Sequence, residues 1–285
     1  MRKVSVILCI VVGIIMSACT QKNAISSRDW LTKANDAILG GDTITALACL
    51  DSVHALFPKD IPARRIADTI SWQIQLVQAT HSLPLIEQEI AYNDSVMTAL
   101  LPRFKFFKDE RYEDIGHFEH RLMSTERGVN RCYLKPSIDE HGAATLSSFY
   151  YGNDQQHIGF RLEIDSMIVD SHEIQFENIT KFDDAGEYHE ILQLTPEQST
   201  QFLQTLYTYR DSRIKVALYE NSTAANADAA GHRVRYTYYI SNVERIALAE
   251  SYQMHYALHT IFTLNDLQLR TQQKIELLNK RLSAQ

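Results

Sequence analysis

The sequence predicts an α+β protein in which an antiparallel β domain lies between long N-terminal and C-terminal helical arms. Two observations indicate this class. Six of the ten glycines fall between residues 116 and 186, while 60–115 contain none and 232–285 contain neither glycine nor proline. Within the glycine-rich part, apolar residues alternate with polar or small ones from Ile158 to Asp165, the period of two that a half-buried strand shows.

The N-terminus has the pattern of an export signal. Arg2 and Lys3 precede an uncharged apolar segment, Val4 to Ile15, which is too short to cross a bilayer comfortably as a helix. This segment is compatible with a lipoprotein signal, with an ordinary secretory signal and with a short membrane anchor.

Met16-Ser17-Ala18-Cys19 resembles the bacterial lipobox, in which a peptidase cleaves before a cysteine that carries diacylglycerol. We therefore expect residues 1–18 to be a lipoprotein signal peptide, Cys19 to be the lipid attachment residue with palmitate-type acyl chains, and 19–26 to be a tether. Two or three acyl chains hold a protein on a membrane far more firmly than one. Cleavage changes the formal charge from −7 to −9, and this negative charge argues against a nucleic-acid partner.

Residues 27–103 are predicted to form a helical hairpin followed by a stalk. In the hairpin, Gly40-Gly41 breaks the first helix, Asp42 caps the second and Pro58 ends it. The spacing fits one tetratricopeptide unit or a plain hairpin equally well. Pro84 either kinks the stalk or begins a new helix. The predicted apolar stripe of the stalk comprises Ile66, Ile70, Ile74, Val77, Ile86, Ile90, Met97 and Leu101.

Residues 104–240 have the alternation and turn signals of an antiparallel β domain. Asp139-Glu140-His141-Gly142 is a hairpin-type turn. A capping Thr195, a first-turn Pro196 and Gln198 predict a helix over 196–210. Strands are predicted at 131–138, 143–151, 158–164, 172–182, 187–194, 213–220 and 233–240.

The last 45 residues, 241–285, are predicted to form one long helix that opens with the capping box Ser241-Asn242-Val243-Glu244. Its apolar stripe narrows in the second half, where the spacing approaches a coiled-coil seam. We expect this arm to pair antiparallel with the stalk at 61–101, and the competing possibility is a homo-oligomer through the arms. The predicted seam comprises Leu264, Leu267, Thr271, Ile275, Leu278 and Leu282.

Common catalytic signatures are absent from the sequence, which contains no G-x-S-x-G, P-loop, G-x-G-x-x-G or H-E-x-x-H pattern. We therefore predict no enzyme activity, no catalytic residue and no cofactor. His117 and His120 are the best metal candidates, because residues three apart share a face of a helical turn, but two imidazoles alone bind weakly. His189-Glu190 begins like a zinc motif but lacks the second histidine.

Three other groups of residues carry a functional alternative beside a structural one. Arg127 and Arg131 can hold a carboxylate or sugar acid, although salt bridges to the acids of 109–114 are the more economical interpretation. A Cys49–Cys132 disulfide is permitted by the compartment, but two buried thiols are favoured. Tyrosines at 236–239 can stack on glycans or peptides, yet fit a strand beside the core.

Part of the β segment resembles an uncharacterised family of envelope lipoproteins from Bacteroidota. The likeness is carried by FKDERYEDIG at 107–116, Thr125-Glu126-Arg127, Arg131-Cys132-Tyr133-Leu134, IDEHG at 138–142 and SSFYYG at 147–152. It implies the same order of lipobox, helical stalk, β segment and C-terminal coiled helix. No functional residue follows from it. In that phylum, acids after the lipidated cysteine direct export to the cell surface, and their absence from Thr20-Gln21-Lys22-Asn23 favours an outer-membrane lipoprotein facing the periplasm.

These observations favour a non-enzymatic cell-envelope lipoprotein with a binding or scaffolding role and an envelope protein partner. The alternative is a lipoprotein that binds glycans or peptides in nutrient capture. Arginines and aromatic side chains clustered on one exposed face would favour the alternative.

Overall fold

The computed structural model confirms an α+β protein with two antiparallel sheets and long N-terminal and C-terminal helices. It describes residues 25–124, 130–152, 157–184, 187–221 and 232–284. The chain divides into two compact units. The first unit contains the residues up to Leu83 and those from Thr271 onward, and the second unit is Pro84–Arg270. Every helix of the described residues is too short or too polar to span a lipid bilayer.

The first unit begins with the predicted helical hairpin. Helix α1 (Ser27–Leu39) opens with a capping box between Ser26 and Asp29, and α2 (Thr43–Leu56) is capped by Asp42, whose side chain accepts from the backbone N–H of Thr45 at 2.9 Å. Gly41 lies between the helices with a φ of 77°, a left-handed conformation that favours glycine.

Alanines fill much of the core of this unit, together with part of the predicted isoleucine stripe. Ala34, Ala46, Ala63 and Ala67 are buried there beside Leu50, Val53 and Ile74. Ile66 and Val77, two members of the predicted stripe, are 50% and 57% exposed. Small side chains let helix backbones approach closely, so the buried face includes the alanines together with Ile70 and Ile74 of the predicted stripe.

Helix α3 (Ile61–Leu100) runs through Pro84 as one continuous element. Of the two possibilities that the sequence left open, the structure therefore shows proline inside a helix and not at the start of a new one. Beyond Pro84, Ile86 is buried as predicted, and Asn93 is also buried, with its amide donating to Glu89 at 2.9 Å.

The described part of the second unit contains ten strands in two antiparallel sheets. One sheet has the order β1-β2-β3-β4-β8-β7 and the other has the order β10-β9-β5-β6. The strands are β1 (Phe104–Phe107), β2 (His117–His120), β3 (Tyr133–Asp139), β4 (Ala144–Gly152), β5 (Gly159–Ile164), β6 (Met167–Asp170), β7 (Ile179–Asp184), β8 (Glu187–Gln193), β9 (Ile214–Asn221) and β10 (His232–Tyr239).

Both sheets contribute to one hydrophobic core. Burial alternates along β4 and along most of β5, as the predicted period of two requires. Leu146 and Leu192 enter the core from the six-stranded sheet, and Phe160, Leu162 and Leu218 enter it from the four-stranded sheet. Strands β1, β2 and β6 were not predicted.

The β3–β4 hairpin has the predicted turn. The Asp139 carboxylate accepts from the backbone N–H groups of His141 at 2.9 Å and Ala143 at 2.7 Å. Gly142 has a φ of 84°, and its carbonyl oxygen lies 2.6 Å from Nδ1 of His255. The turn is thereby attached to the C-terminal helix.

One further helix follows β8 within the second unit. Helix α4 (Pro196–Thr208) has the predicted capping box between Thr195 and Gln198 and ends two residues earlier than expected. Its buried side chains, which join the core, are Ser199, Phe202, Leu203 and Leu206.

Helix α5 (Asn242–Ser283) begins at the predicted capping box and pairs with α3. In the second unit, Nε2 of Gln268 donates to Oε1 of Glu87 at 3.2 Å. In the first unit, the guanidinium of Arg281 lies 5.4 Å from the Trp72 ring. Thr271 and Leu278 of the predicted seam are buried, whereas Leu267 is 44% exposed.

Candidate functional site

A groove with charged and aromatic walls runs along α5 in the second unit. It consists of three adjoining cavities of about 350, 490 and 310 Å³, which we call the first, central and third cavities. Ile246 and Glu250 line both the first and the central cavity, and Tyr207 and Gln253 line both the central and the third. Each volume is in the range of small-molecule sites.

One face of α5 supplies one wall of the groove along its length. Most of its residues lie three or four positions apart, the spacing that brings helical side chains together on one face. Between 242 and 256 the helix rises about 21 Å, so the groove suits an elongated ligand. The α5 residues are Asn242, Arg245, Ile246, Ala249, Glu250, Tyr252, Gln253 and Tyr256.

Four other segments supply the remaining walls. The end of α4 and the turn after it contribute Tyr207, Arg210 and Asp211. Arg103 lies in a short 3-10 turn after α3, and Arg121 lies in a similar turn after β2. The second half of α3 contributes Tyr92, Asn93 and Val96.

Two guanidinium groups face the central cavity. Nη1 of Arg245 donates to the carbonyl oxygen of Ser212 at 2.9 Å, and its other terminal nitrogen bonds to Oδ1 of Asn242. Nη1 of Arg210 donates to the carbonyl oxygen of Tyr207 at 2.9 Å, and the guanidinium lies 4.8 Å from the centre of the Tyr207 ring. Neutral oxygens and a ring orient both cations without neutralising their charge.

The first cavity contains a charged cluster around Glu250. Its carboxylate forms an ion pair with Arg103 through Oε1 and lies 2.8 Å from Nε2 of His120 through Oε2. The Glu250 side chain is 12% exposed. In the same cavity, Nε of Arg121 donates to the carbonyl oxygen of Pro102 at 3.0 Å.

The contacts of His120 identify its neutral form. Nδ1 accepts from the backbone N–H of Leu122 at 3.2 Å, so the proton is on Nε2, which donates to Glu250. Burial lowers the pKa of His120, partly opposed by the hydrogen bond to Glu250. Since both ring nitrogens are engaged, His120 orients the carboxylate and offers no free base.

The groove is electropositive in an acidic protein. Four arginines and two acids line it, whereas the whole chain has a formal charge of −7. Arg121, Arg210 and Arg245 form no ion pair with a carboxylate of the described residues, while Arg103 pairs with Glu250. Guanidinium groups that have no carboxylate partner bind carboxylate, phosphate or sulfate ligands through charge-assisted hydrogen bonds.

Tyrosines dominate the third cavity. The ring centres of Tyr207 and Tyr252 are 4.9 Å apart, and those of Tyr252 and Tyr256 are 6.5 Å apart. Tyr92 and Tyr256 are 63% and 53% exposed. Burial raises the pKa of Tyr252, so its hydroxyl stays protonated. The groove therefore places flat apolar rings directly beside its cationic part.

The two histidines that were predicted as metal candidates point in different directions in the structure. His117 and His120 lie on β2 and not on a helical turn, so residues three apart point to opposite faces of the strand. His117 lies 3.6 Å from Glu119 and His120 bonds to Glu250. Within the described ranges, no group of three or more metal-ligating side chains is present.

The other predicted residues have structural surroundings or lie outside the described residues. Cys19 and Arg127 are outside them. Arg131 pairs with Glu244 at 3.4 Å and not with the acids of 109–114. Cys49 and Cys132 are both free buried thiols.

The tyrosines of β10 and His189 are outside the groove. Tyr236 and Tyr239 are 44% and 50% exposed, and only Tyr238 packs against the core. His189 stacks on Phe182 in neighbouring strands, with ring centres 4.7 Å apart, so its resemblance to a zinc motif is coincidental.

Sequence reasoning missed every arginine of the groove. Arg103, Arg121, Arg210 and Arg245 come from four segments, and Arg103 is 147 positions from its partner Glu250, so no local motif joins them. One sequence feature could have indicated the groove. In the first half of α5, polar side chains at 242, 245, 250 and 253 interrupt the apolar surface of the helix. A single helix face of this kind is ordinarily solvated and does not by itself indicate a site.

Comparison with protein-family models, curated proteins and solved structures finds no significant match to this chain.

Proposed function

We propose that this chain is a non-enzymatic cell-envelope lipoprotein, anchored through Cys19, that binds an anionic ligand in the groove along α5. One observation supports the binding role above all others. Arg121, Arg210 and Arg245 line one groove without a carboxylate partner among the described residues, and a ligand anion would supply that partner.

The chemistry of the groove favours binding over catalysis. The residues that line its three cavities include no serine, cysteine or lysine, and His120 already uses both ring nitrogens. The described residues of the groove thus offer hydrogen bonds, charge and aromatic surface, but neither an activated nucleophile nor a free imidazole.

The binding role is tested with the purified full-length lipoprotein in detergent. Fluorescent polygalacturonate and polyglutamate are the anionic probes, and dextran is the neutral one. Replacing Arg210 and Arg245 by Gln is expected to weaken anion binding about tenfold or more, because charge-assisted hydrogen bonds contribute about 1.5–3 kcal/mol each. Anion binding is also expected to weaken with added salt.

A charge-matched control removes two arginines of the first unit. Arg28→Gln with Arg65→Gln changes the net charge equally, and both residues are exposed. Failure of both anions to bind would contradict the proposal. So would an equal loss of binding in the control, since net charge and not the groove would then explain the attraction.

The anchor is tested separately, since it depends on the N-terminal sequence. We expect Cys19→Ala to abolish incorporation of labelled palmitate and to release the protein from the membrane fraction. For an outer-membrane lipoprotein that faces the periplasm, protease added to intact cells leaves the protein uncut. A mature N-terminus without acyl groups would contradict the anchor and leave the groove unaffected.

A further inference from the structure

We infer that the ligand of the groove is an acidic saccharide, bound with its carboxylate at the arginines and the apolar face of a sugar ring on the tyrosines. This inference rests on the proposed anion-binding function and specifies the ligand's chemical class. The residues beside the cationic cavity select the ligand class, since arginine alone accepts any anion.

Aromatic rings adjoin the cationic part without a gap. Tyr207 lines both the central and the third cavity, and its ring lies under the Arg210 guanidinium and beside the Tyr252 ring. At the far end, Tyr256 is 53% exposed. A ligand held here needs a charged group next to a flat surface of C–H groups, and a sugar acid has both on one ring.

Planar polar side chains border the same rings. The Gln253 amide lines both the central and the third cavity, and Asn242 and Asp211 line the central one. An amide both donates and accepts hydrogen bonds in one plane, as adjacent hydroxyls of a sugar require. The hydroxyl groups at the edge of the sugar ring can therefore form hydrogen bonds with these side chains while the face of the ring covers the tyrosines.

The backbone around the groove disfavours an extended peptide. Peptides bound in extended form pair with an exposed sheet edge, but most of the lining residues lie on α3, α4 and α5, where backbone groups pair within the helix. The one lining strand, β2, lies between β1 and β3. An amphipathic helical peptide would need an apolar groove, whereas four arginines line this one.

Calorimetry on the full-length lipoprotein in detergent tests this assignment. The probes are tri-galacturonate, its carboxyl-reduced neutral counterpart and hexaglutamate. We expect tri-galacturonate to bind most tightly, and both carboxyl reduction and Arg245→Gln to weaken binding about tenfold or more.

The tyrosine contribution is tested with three variants. Tyr256→Ala is expected to weaken tri-galacturonate about fivefold, whereas Tyr256→Phe keeps the ring and most of the affinity. Tyr112→Ala is the matched control, since Tyr112 is 85% exposed outside the groove. Thermal unfolding of each variant verifies that it is folded.

The outcomes separate this inference from the proposal on which it rests. If hexaglutamate binds at least as tightly as tri-galacturonate, or if Tyr256→Ala leaves saccharide binding unchanged, the saccharide assignment is overturned while anion binding stands. If neither anion binds, both fail. Equal binding of the neutral trisaccharide would also overturn the assignment, because the arginines would then have no part in recognition.

Discussion

Gly142 provides a sharp test of how the β domain holds α5. A Cβ added to Gly142 would meet the backbone of α5, at 2.6 Å from Cα of His259 and 2.8 Å from the carbonyl carbon of Leu258. The residue also has a φ of 84°, which costs a non-glycine residue about 1–2 kcal/mol. Overpacking against backbone costs about 1–3 kcal/mol more. We therefore expect Gly142→Ala to lower the free energy of unfolding by about 2–5 kcal/mol.

Two other glycines distinguish the cost of the left-handed backbone conformation from the cost of overpacking. Gly41 has a φ of 77° but nothing within 4 Å of an added Cβ, so Gly41→Ala should cost only about 1–2 kcal/mol. Gly40 has a φ of −77° and only ordinary contacts at 3.5 Å, so Gly40→Ala should be neutral or stabilising. Urea unfolding followed by circular dichroism measures all three variants. If Gly142→Ala costs no more than Gly41→Ala, the close approach of the turn to α5 is refuted.

Three further predictions concern buried polar groups. Glu250→Gln should lower the free energy of unfolding by about 2 kcal/mol, because it leaves the guanidinium and imidazole beside it without their anion; an unchanged urea midpoint would contradict this. Burial lowers the pKa of His120, His157 and His255, so the unfolded chain takes up protons first as the pH falls below about 6.5. Stability from these histidines is therefore present above that pH and lost below it, and equal urea midpoints at pH 7.5 and 5.5 would refute the assignment. Burial also raises the pKa of the Cys132 thiol, so a thiol reagent should modify it only in denaturant, and rapid labelling of the native protein would show that it is accessible.

The sequence predicted the elements whose signals are local. The capping box at Thr195 and Gln198 and the turn ending at Gly142 are both present, since each depends on a few adjacent residues. The alternation along β4 and β5 follows from burial of one strand face and needs no knowledge of the partner strand.

The strands that were not predicted are short, and one of them follows a tight two-residue turn. Strands β1 and β2 have four residues each, too few to establish a period. Strand β6 follows β5 through Asp165 and Ser166 alone, and Asp165 has a φ of 52°. Aspartate tolerates that conformation better than most residues, but it is a weaker turn signal than glycine.

The pairing of the two arms was predicted, but part of the buried face of α3 and the whole groove were not. On α3, a stripe of large apolar residues was expected to form the whole buried face, but Ala63 and Ala67 are also buried there, in one cluster with the hairpin and Ile74. In the groove, the arginines come together only in the tertiary structure. Arg131 illustrates the same limit, since it pairs with Glu244, 113 positions away, and not with the acids nearer in sequence.

The ion pair between Arg103 and Glu250 has a kinetic consequence. It joins residues 147 positions apart, and the bond from Glu250 to His120 spans 130. Contacts at such separation form only after a large loss of chain entropy, so they slow folding and are completed late. The groove is therefore among the last features to appear as the chain folds. A ligand that binds only the finished groove would stabilise the folded state by about 2.7 kcal/mol at a hundred times its Kd, so ligand supply and the steady-state amount of this protein would rise together.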